Sequence, residues 1–134
     1  MLKQTKGRTM GAALIGLVLA ASATIANADI QDYEFRTVDQ TVKTGYAEIT
    51  VQLIDKRTGK AVPDAVIFAK RLDMTPDGMD EMDTKIAAVS STEPGVYRFS
   101  GYFSMAGRWQ LSLAAKVQGE AGTVESKLLV KAEK

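Results

Sequence analysis

The residues with the clearest chemical potential are four methionines. Met74, Met79 and Met82 fall close together, and Met105 follows later in the chain. A thioether is a soft, neutral ligand that prefers Cu(I) or Ag(I) to Zn(II) or Mg(II). It has no proton to lose, so it would keep binding under acidic conditions that protonate histidine or cysteine. The sequence therefore predicts a Cu(I) or Ag(I) site with Met79 and Met82 as main ligands and Met74 and Met105 as co-ligands.

Acidic side chains surround the clustered methionines. Five carboxylates lie between residues 73 and 83: Asp73, Asp77, Asp80, Glu81 and Asp83. Their hard oxygens suit Cu(I) poorly, so we expect them to attract cations at long range rather than to coordinate them. The segment also lacks the glycine and the closing glutamate of a calcium-binding EF-hand loop at the required positions. We therefore expect the acidic residues to attract a cation to the site and not to serve as its ligands.

The same methionines have interpretations without a metal. Methionine fills irregular core gaps and suits adaptable docking surfaces. Met74 would end a strand as its last inward residue, and Met105 would pack on Trp109, which we expect to anchor the core. At alternate positions of the same strand, Val66, Phe68 and Leu72 are expected to point inward as Met74 does. Two alternatives therefore stand beside metal handling: a protein-interaction module of an envelope complex that docks through the methionine segment, and a binder of small aromatic ligands near Trp109.

Two residue types that serve most catalytic sites do not occur in the sequence. There is no histidine, the commonest general base and transition-metal ligand, and no cysteine. The serines therefore have no histidine to activate them. Disulfides and thiolate metal sites are excluded as well, so the fold depends on its apolar core. We predict a module that is not an enzyme.

The N terminus has the features of a secretory signal peptide. Three basic residues precede an apolar run from about Met10 to Ala21, and small residues at 26–28 offer a cleavage site. The run is shorter than the ~20 residues of a membrane-spanning helix, and no second hydrophobic run follows. We predict a signal peptide over residues 1–28 and a periplasmic domain over 29–134 with no membrane span. An uncleaved inner-membrane anchor is the alternative.

The charge of the predicted mature chain is nearly balanced. Removing the three basic residues of the N-terminal segment from the 17 Lys and Arg leaves 14 against 16 Asp and Glu, a net charge of −2. No basic stripe is visible that would meet phosphates, which argues against nucleic-acid binding. The length suffices for one domain with one core. The sequence leaves the oligomeric state open.

Alternating apolar residues predict β-strands in the mature chain. Residues 45–54 and 109–117 alternate between apolar and polar positions, and the segments at 55–60 and 118–122 are polar and contain glycine. Short strands without a long amphipathic helix predict one antiparallel all-β sandwich of about seven strands. Only residues 77–88 could hold a helical turn, which would place Met79 and Met82 on one face.

Several motifs in order resemble the YtkA-like or FixH-like family of small exported domains. These are a turn and strand with Asp55, Gly59, Lys60, Val62 and Ala65, the methionine segment, Gly95-Val96-Tyr97, and Met105-Ala106-Gly107-Arg108-Trp109. The likeness extends over roughly residues 45–130. It implies an immunoglobulin-like sandwich in the periplasm or at the outer face of the membrane and no catalytic activity. It also implies partners in envelope metal-export or oxidase-assembly systems.

Overall fold

A computed structural model describes residues 30–134 as a two-sheet β-sandwich. The predicted signal peptide therefore lies outside the described residues. The strands are β1 Tyr33–Thr37, β2 Thr41–Lys43, β3 Gly45–Asp55, β4 Lys60–Ala61, β5 Val66–Met74, β6 Met79–Thr84, β7 Ile86–Val89, β8 Val96–Phe103, β9 Gly107–Lys116 and β10 Val124–Glu133. Short 3-10 turns occupy Ile30–Asp32 and Thr75–Asp77. The prediction of an immunoglobulin-like all-β fold is confirmed.

The strands form two layers. The first sheet has the order β2-β10-β9-β5-β6, and the second has the order β1-β3-β8-β7, with β4 paired to β3. All the ladders are antiparallel except that between β2 and β10. The ten strands of the described residues exceed the predicted seven because β2 and β4 are very short and the segment considered for a helical turn forms β6 and β7. Within residues 30–134, no helix has the length and apolar character needed to cross a membrane.

The predicted alternation of the long strands β3 and β9 builds much of the core. In β3, Ile49, Val51 and Leu53 are fully buried, and in β9 Trp109 and Leu111 are buried with them. Because successive side chains of a strand point to opposite faces, each strand supplies a row of apolar residues to the space between the sheets. Burial of each large side chain contributes roughly 1.5–3 kcal/mol, so this core is the main source of stability.

The inward pattern predicted for β5 is correct at one end and wrong at the other. Leu72 and Met74 are fully buried, as expected. Val66 and Phe68, which were expected to share their parity, are 63% and 56% exposed. These two residues therefore do not belong to the core.

A β-bulge at Phe68 explains the reversal. Ala69 pairs with Ala114 of β9, whereas Ile67 pairs with the next residue, Ala115, so Phe68 is an extra residue in the ladder. An extra residue reverses the alternation of the side chains on its two sides. Ile67 consequently packs against the core in place of its neighbours.

The segment considered for a helical turn forms strands instead. A 3-10 turn at Thr75–Asp77 follows β5 and ends at Gly78, whose φ of 76° lies in the left-handed region that glycine adopts most easily. The chain then continues as β6 and β7. The prediction that Met79 and Met82 share a helical face was therefore wrong.

Candidate functional site

Three of the four predicted methionines lie at one end of the first sheet. Met74 ends β5, and its backbone pairs with that of Met79 at the start of β6. Met105 lies between β8 and β9, two residues before Gly107, and Gly107 lies against the Met74 side chain. Met82 follows on β6. We call these four residues, Met74, Met79, Met82 and Met105, the methionine corner.

Met74 is the buried member of the methionine corner. Its side chain is 0% exposed and belongs to the apolar core. A Cβ added to Gly107 would lie 2.5 Å from the Met74 Cε, so the methyl group packs directly against the Gly107 backbone. This close approach requires glycine at the start of β9. The prediction that Met74 is the last inward residue of its strand is correct.

The other three methionines are accessible to different degrees. Met79 is half-buried and packs against the core, while Met82 and Met105 are 36% and 40% exposed. The ladder between β5 and β6 is irregular here, because Asp73 pairs with Asp83 but the next residue, Met74, pairs with Met79. The intervening residues of β6, which include Met82, therefore bulge away from β5.

Asp73 holds the turn that follows Met74. It is the buried charged residue of the described chain, 3% exposed, and its Oδ1 accepts hydrogen bonds from Thr75 N at 3.0 Å and Thr75 Oγ1 at 2.6 Å. Arg71 Nε donates to Asp73 Oδ2 at 2.6 Å. Burial by itself would raise the pKa of Asp73, but the hydrogen bonds from Thr75 and Arg71 outweigh it and lower the pKa below its ordinary value of 3.8.

Arg71 joins the two strands of the corner. Besides Asp73, its guanidinium binds the Asp83 carboxylate at 3.2 Å and the Asp80 carbonyl oxygen at 2.8 Å. The planar guanidinium has several donors in fixed directions, so one arginine can fix the irregular part of β6 to β5. Arg71 thereby limits the position of Met82, which lies between Asp80 and Asp83.

Asp77 and Arg108 fasten the 3-10 turn to the start of β9. Asp77 Oδ2 accepts from the backbone N–H of Arg108 at 2.8 Å, and Oδ1 accepts from Arg108 Nε at 2.7 Å. The Arg108 guanidinium also donates to the Pro76 carbonyl oxygen at 2.8 Å. The backbone hydrogen bond and then the side-chain hydrogen bond from Arg108 lower the pKa of Asp77. This contact brings the turn after Met74 to the loop that carries Met105.

Trp109 connects the same loop to the core. It is 1% exposed and packs edge-on against Phe103, with ring centroids 5.4 Å apart, which confirms it as a core anchor. Its indole Nε1 donates to the Met105 carbonyl oxygen at 3.1 Å. Met105 therefore contacts Trp109 through its backbone, while its side chain remains partly exposed.

Sequence reasoning missed the supporting roles of Asp73, Arg71 and Arg108. We expected Asp73 to act only by long-range attraction. The spacing of Asp73 and Thr75 is typical of an Asx turn, a local signal that could have revealed its structural role. The pairing of Asp77 with Arg108 has no comparable signal, because 31 residues separate them. Among residues 30–134, no group of three or more His, Cys, Asp or Glu side chains is placed to hold a metal ion.

A sequence model for the family described as YtkA-like matches residues 27–114. The chain belongs to the YtkA-like family. This match includes Met74, Met79, Met82 and Met105, and it confirms the resemblance seen in the sequence. No curated protein matches this YtkA-like chain significantly.

Two solved structures are similar to this YtkA-like chain. The crystal structure of the Lin-41 filamin domain has a TM-score of 0.46 and 18% identity, and the alignment covers 76% of this chain and 92% of the other. The ZirS C-terminal domain has a TM-score of 0.47 and 14% identity, with 98% and 86% covered.

Proposed function

We propose that this YtkA-like chain is a non-enzymatic periplasmic accessory module that holds Cu(I) or Ag(I) at the methionine corner. It would pass the ion to a metal-export or oxidase-assembly protein of the envelope. The observation that carries the proposal is the backbone pairing of Met74 with Met79, beside the loop that bears Met105. That arrangement places several thioethers, ligands suited to soft ions, at one end of one sheet.

The exposed fraction of each methionine side chain suggests which of them bind the ion and which pack in the core. Met79 is half-buried between the core and the surface, and Met82 and Met105 are exposed enough to meet an incoming ion. Met74 is fully buried and contributes packing to the core. We therefore assign Met79 the central role, with Met82 and Met105 as its candidate partners.

The carboxylates near the corner are already occupied by protein groups. Asp73 and Asp83 bind Arg71, and Asp77 binds Arg108. Paired carboxylates with good hydrogen bonds are poorly placed to become metal ligands as well. Asp80 and Glu81 are exposed and give the corner a negative surface that attracts cations. These contacts support a site in which the methionine sulfurs coordinate the ion and the exposed carboxylates only attract it.

The remaining parts of the proposal come from composition and family. A chain without histidine or cysteine lacks the commonest general base and the thiolate nucleophile, which supports a module that binds rather than converts its ligand. The N-terminal basic and apolar segment supports export to the periplasm. Membership of the YtkA-like family is compatible with a small envelope domain of this kind.

An anaerobic Cu(I) titration of residues 29–134 against a chromophoric chelator tests the proposal, with Zn(II) and Cu(II) as comparison ions. We expect selective Cu(I) binding with a Kd below about 1 μM. A Met79→Leu/Met82→Leu variant should bind at least about tenfold more weakly. The leucine side chains conserve volume, so each should cost less than about 1.5 kcal/mol of stability.

An Asp80→Asn/Glu81→Gln variant is the matched control, because it removes two charges from the same segment and keeps every sulfur. Its Cu(I) affinity at equilibrium should remain within about threefold of wild type, since exposed charges act mainly on the rate of association. Wild-type protein that does not bind Cu(I), or a double methionine variant that binds as tightly as wild type, would contradict the proposal.

The exposed thioethers also support a second candidate, a docking surface for an envelope protein without a metal. Met82 and Met105 are among the exposed large apolar residues of the described chain. Such flexible side chains adapt to partner surfaces. A partner that binds in metal-free buffer and is lost when both residues are replaced by serine would favour this function over metal handling. Partner binding that needs Cu(I) would favour the first.

A further inference from the structure

Two-thirds of β5 forms an open sheet edge. β6 pairs only with Leu72, Asp73 and Met74, whereas β9 pairs with β5 from Val66 to Asp73. Among residues 30–134, no strand pairs with positions 66–71 of β5 on the side opposite β9. Backbone N–H and C=O groups on an open edge can pair with another extended chain. Because Phe68 is the extra residue of the bulge, this edge offers about five pairing positions, roughly 17 Å at 3.3 Å per residue.

A cleft accompanies the open edge. It has a volume of about 710 Å³ and lies between β5 of the first sheet and β7 and β8 of the second. Its apolar surface includes Ile67, Ala88, Val89 and Phe99. The Tyr97 hydroxyl in this cleft donates to the Val62 carbonyl at 2.9 Å and accepts from Ala65 N at 3.1 Å, which fixes its position. An added strand would thus find a backbone edge beside an apolar groove.

Lys70 places a positive charge in this groove. It pairs with Leu113, which is buried, and directly opposed residues of two strands lie on the same face, so Lys70 is on the inner face of the sheet. A second, smaller cleft continues from Lys70 to Lys85 and Ile86. Every arginine of residues 30–134 has a carboxylate partner, but within the same residues neither Lys70 nor Lys85 has one.

We propose that this groove binds an extended acidic segment of a partner protein, which adds to the first sheet as a strand along residues 66–71 of β5. The backbone of the segment pairs with the open edge. Its alternate side chains point into the cleft, where an apolar residue meets Ile67 and a carboxylate meets Lys70. The outward side chains of the segment remain in solvent. The groove is separate from the methionine corner, so the proposal stands independently of metal binding.

The charge of the groove argues against a second copy of this chain as the occupant. Two copies joined through β5 in a register centred on Lys70 would bring two Lys70 side chains together, and like charges that face each other across strands are destabilising. An acidic segment gives the opposite result, because its carboxylate pairs with a lysine that the domain leaves unpaired. Asp64 and Glu93 also line the cleft, so the groove favours a carboxylate at its Lys70 end only, between alternating apolar residues.

A selection from a random twelve-residue peptide display library tests the proposal with immobilised residues 29–134 as bait. We expect enrichment of peptides that contain Asp or Glu between alternating β-branched or aromatic residues. The same selection on Lys70→Glu should lose these peptides and enrich peptides with Lys or Arg in their place. Lys43→Glu is the matched control: it reverses one exposed lysine on β2, at the opposite edge of the first sheet, and should keep the wild-type preference.

Amide hydrogen exchange then distinguishes strand addition from other modes of binding. Addition of the best acidic peptide should slow exchange at alternate backbone amides within 66–71 at least about tenfold, because those on the open edge become hydrogen-bonded. An enriched peptide that leaves these amides unchanged overturns the strand addition. A selection that yields no acidic preference, or one that Lys70→Glu leaves intact, overturns the proposed ligand chemistry.

Discussion

Replacement of Gly107 by alanine tests the packing on which the methionine corner depends. Gly107 has φ of 148°, a backbone conformation that residues with a side chain rarely adopt. The new Cβ would lie 2.5 Å from Met74 Cε and 2.7 Å from Asp77 Oδ2. Both distances are far inside van der Waals contact, so the substitution must displace the buried thioether, the carboxylate or the strand itself.

Two costs add to give the magnitude. Unfavourable backbone conformation costs about 1–3 kcal/mol for a residue other than glycine. Overpacking against a fully buried side chain adds about 1–3 kcal/mol. The free energy of unfolding should therefore fall by about 2–6 kcal/mol, out of the roughly 5–15 kcal/mol typical of a small domain. The Gly107→Ala variant should fold, with a clearly lower urea midpoint.

A double-mutant cycle with Met74→Ala separates the two costs. Removal of the Met74 side chain alone should cost about 2–5 kcal/mol, because it leaves a cavity in the core. In the double variant the new methyl group enters that space, so the part of the packing cost that comes from Met74 should be recovered, while the contact with Asp77 and the backbone cost remain. Urea unfolding of the wild type, both single variants and the double variant measures the coupling.

Gly119→Ala is the matched control for the backbone share. Gly119 has φ of 90°, and a Cβ there would meet nothing within 4 Å. The Gly119→Ala variant should therefore lose stability through its backbone conformation alone, without overpacking. The reasoning fails if Gly107→Ala costs no more than Gly119→Ala, or if the effects of Gly107→Ala and Met74→Ala add to within about 0.5 kcal/mol.

Three further predictions concern an acid, a hydroxyl and the bulge. Asp73→Asn should destabilise the domain at neutral pH. The difference in stability from wild type should shrink as pH falls through and below 3.8, because the lowered pKa of Asp73 contributes stability only while its carboxylate is ionised. A difference in urea midpoint that is constant with pH would disprove this. Tyr97→Phe should cost about 1–3 kcal/mol in urea unfolding, since Val62 O and Ala65 N both lose their partner, and a cost near zero would show that water replaces the hydroxyl. Phe68→Thr should change thermal stability by less than about 0.5 kcal/mol, whereas a loss above about 2 kcal/mol would place Phe68 in the core despite its exposure.

The sandwich could be predicted because its central strands follow the simplest rule of sheet formation. Ile49, Val51 and Leu53 alternate with polar residues, and the same period begins at Trp109. A strand with one buried face must show this pattern, so the fold class and the core anchors were readable from the sequence. The family resemblance then supplied the immunoglobulin-like arrangement of the strands.

The bulge in β5 could not be predicted from its local sequence. Whether Phe68 is an extra residue depends on how β5 aligns with β9, and that register is a property of the pair. The strand contains apolar residues at both parities around the bulge. Reading it as one uninterrupted alternation therefore placed Val66 and Phe68 on the wrong face.

The candidate site was only partly readable for a similar reason. The residue types and spacing identified the four methionines, and the strand pattern correctly placed Met74 inside. The arrangement of the corner depends on long-range pairs such as Asp77 with Arg108. One sequence contains no signal that couples positions so far apart, so the carboxylates were assigned to cation attraction when several of them bind arginines.

The hydrogen bond from Trp109 to the Met105 carbonyl gives the molecule a built-in optical probe. Trp109 is the single tryptophan of the sequence, so its fluorescence comes from one place. Its ring is held in the core against Phe103, while its N–H contacts the backbone of the loop that carries Met105. Any rearrangement of that loop must change the surroundings of the indole. The intrinsic emission of the unlabelled protein should therefore report a rearrangement of the loop that carries Met105.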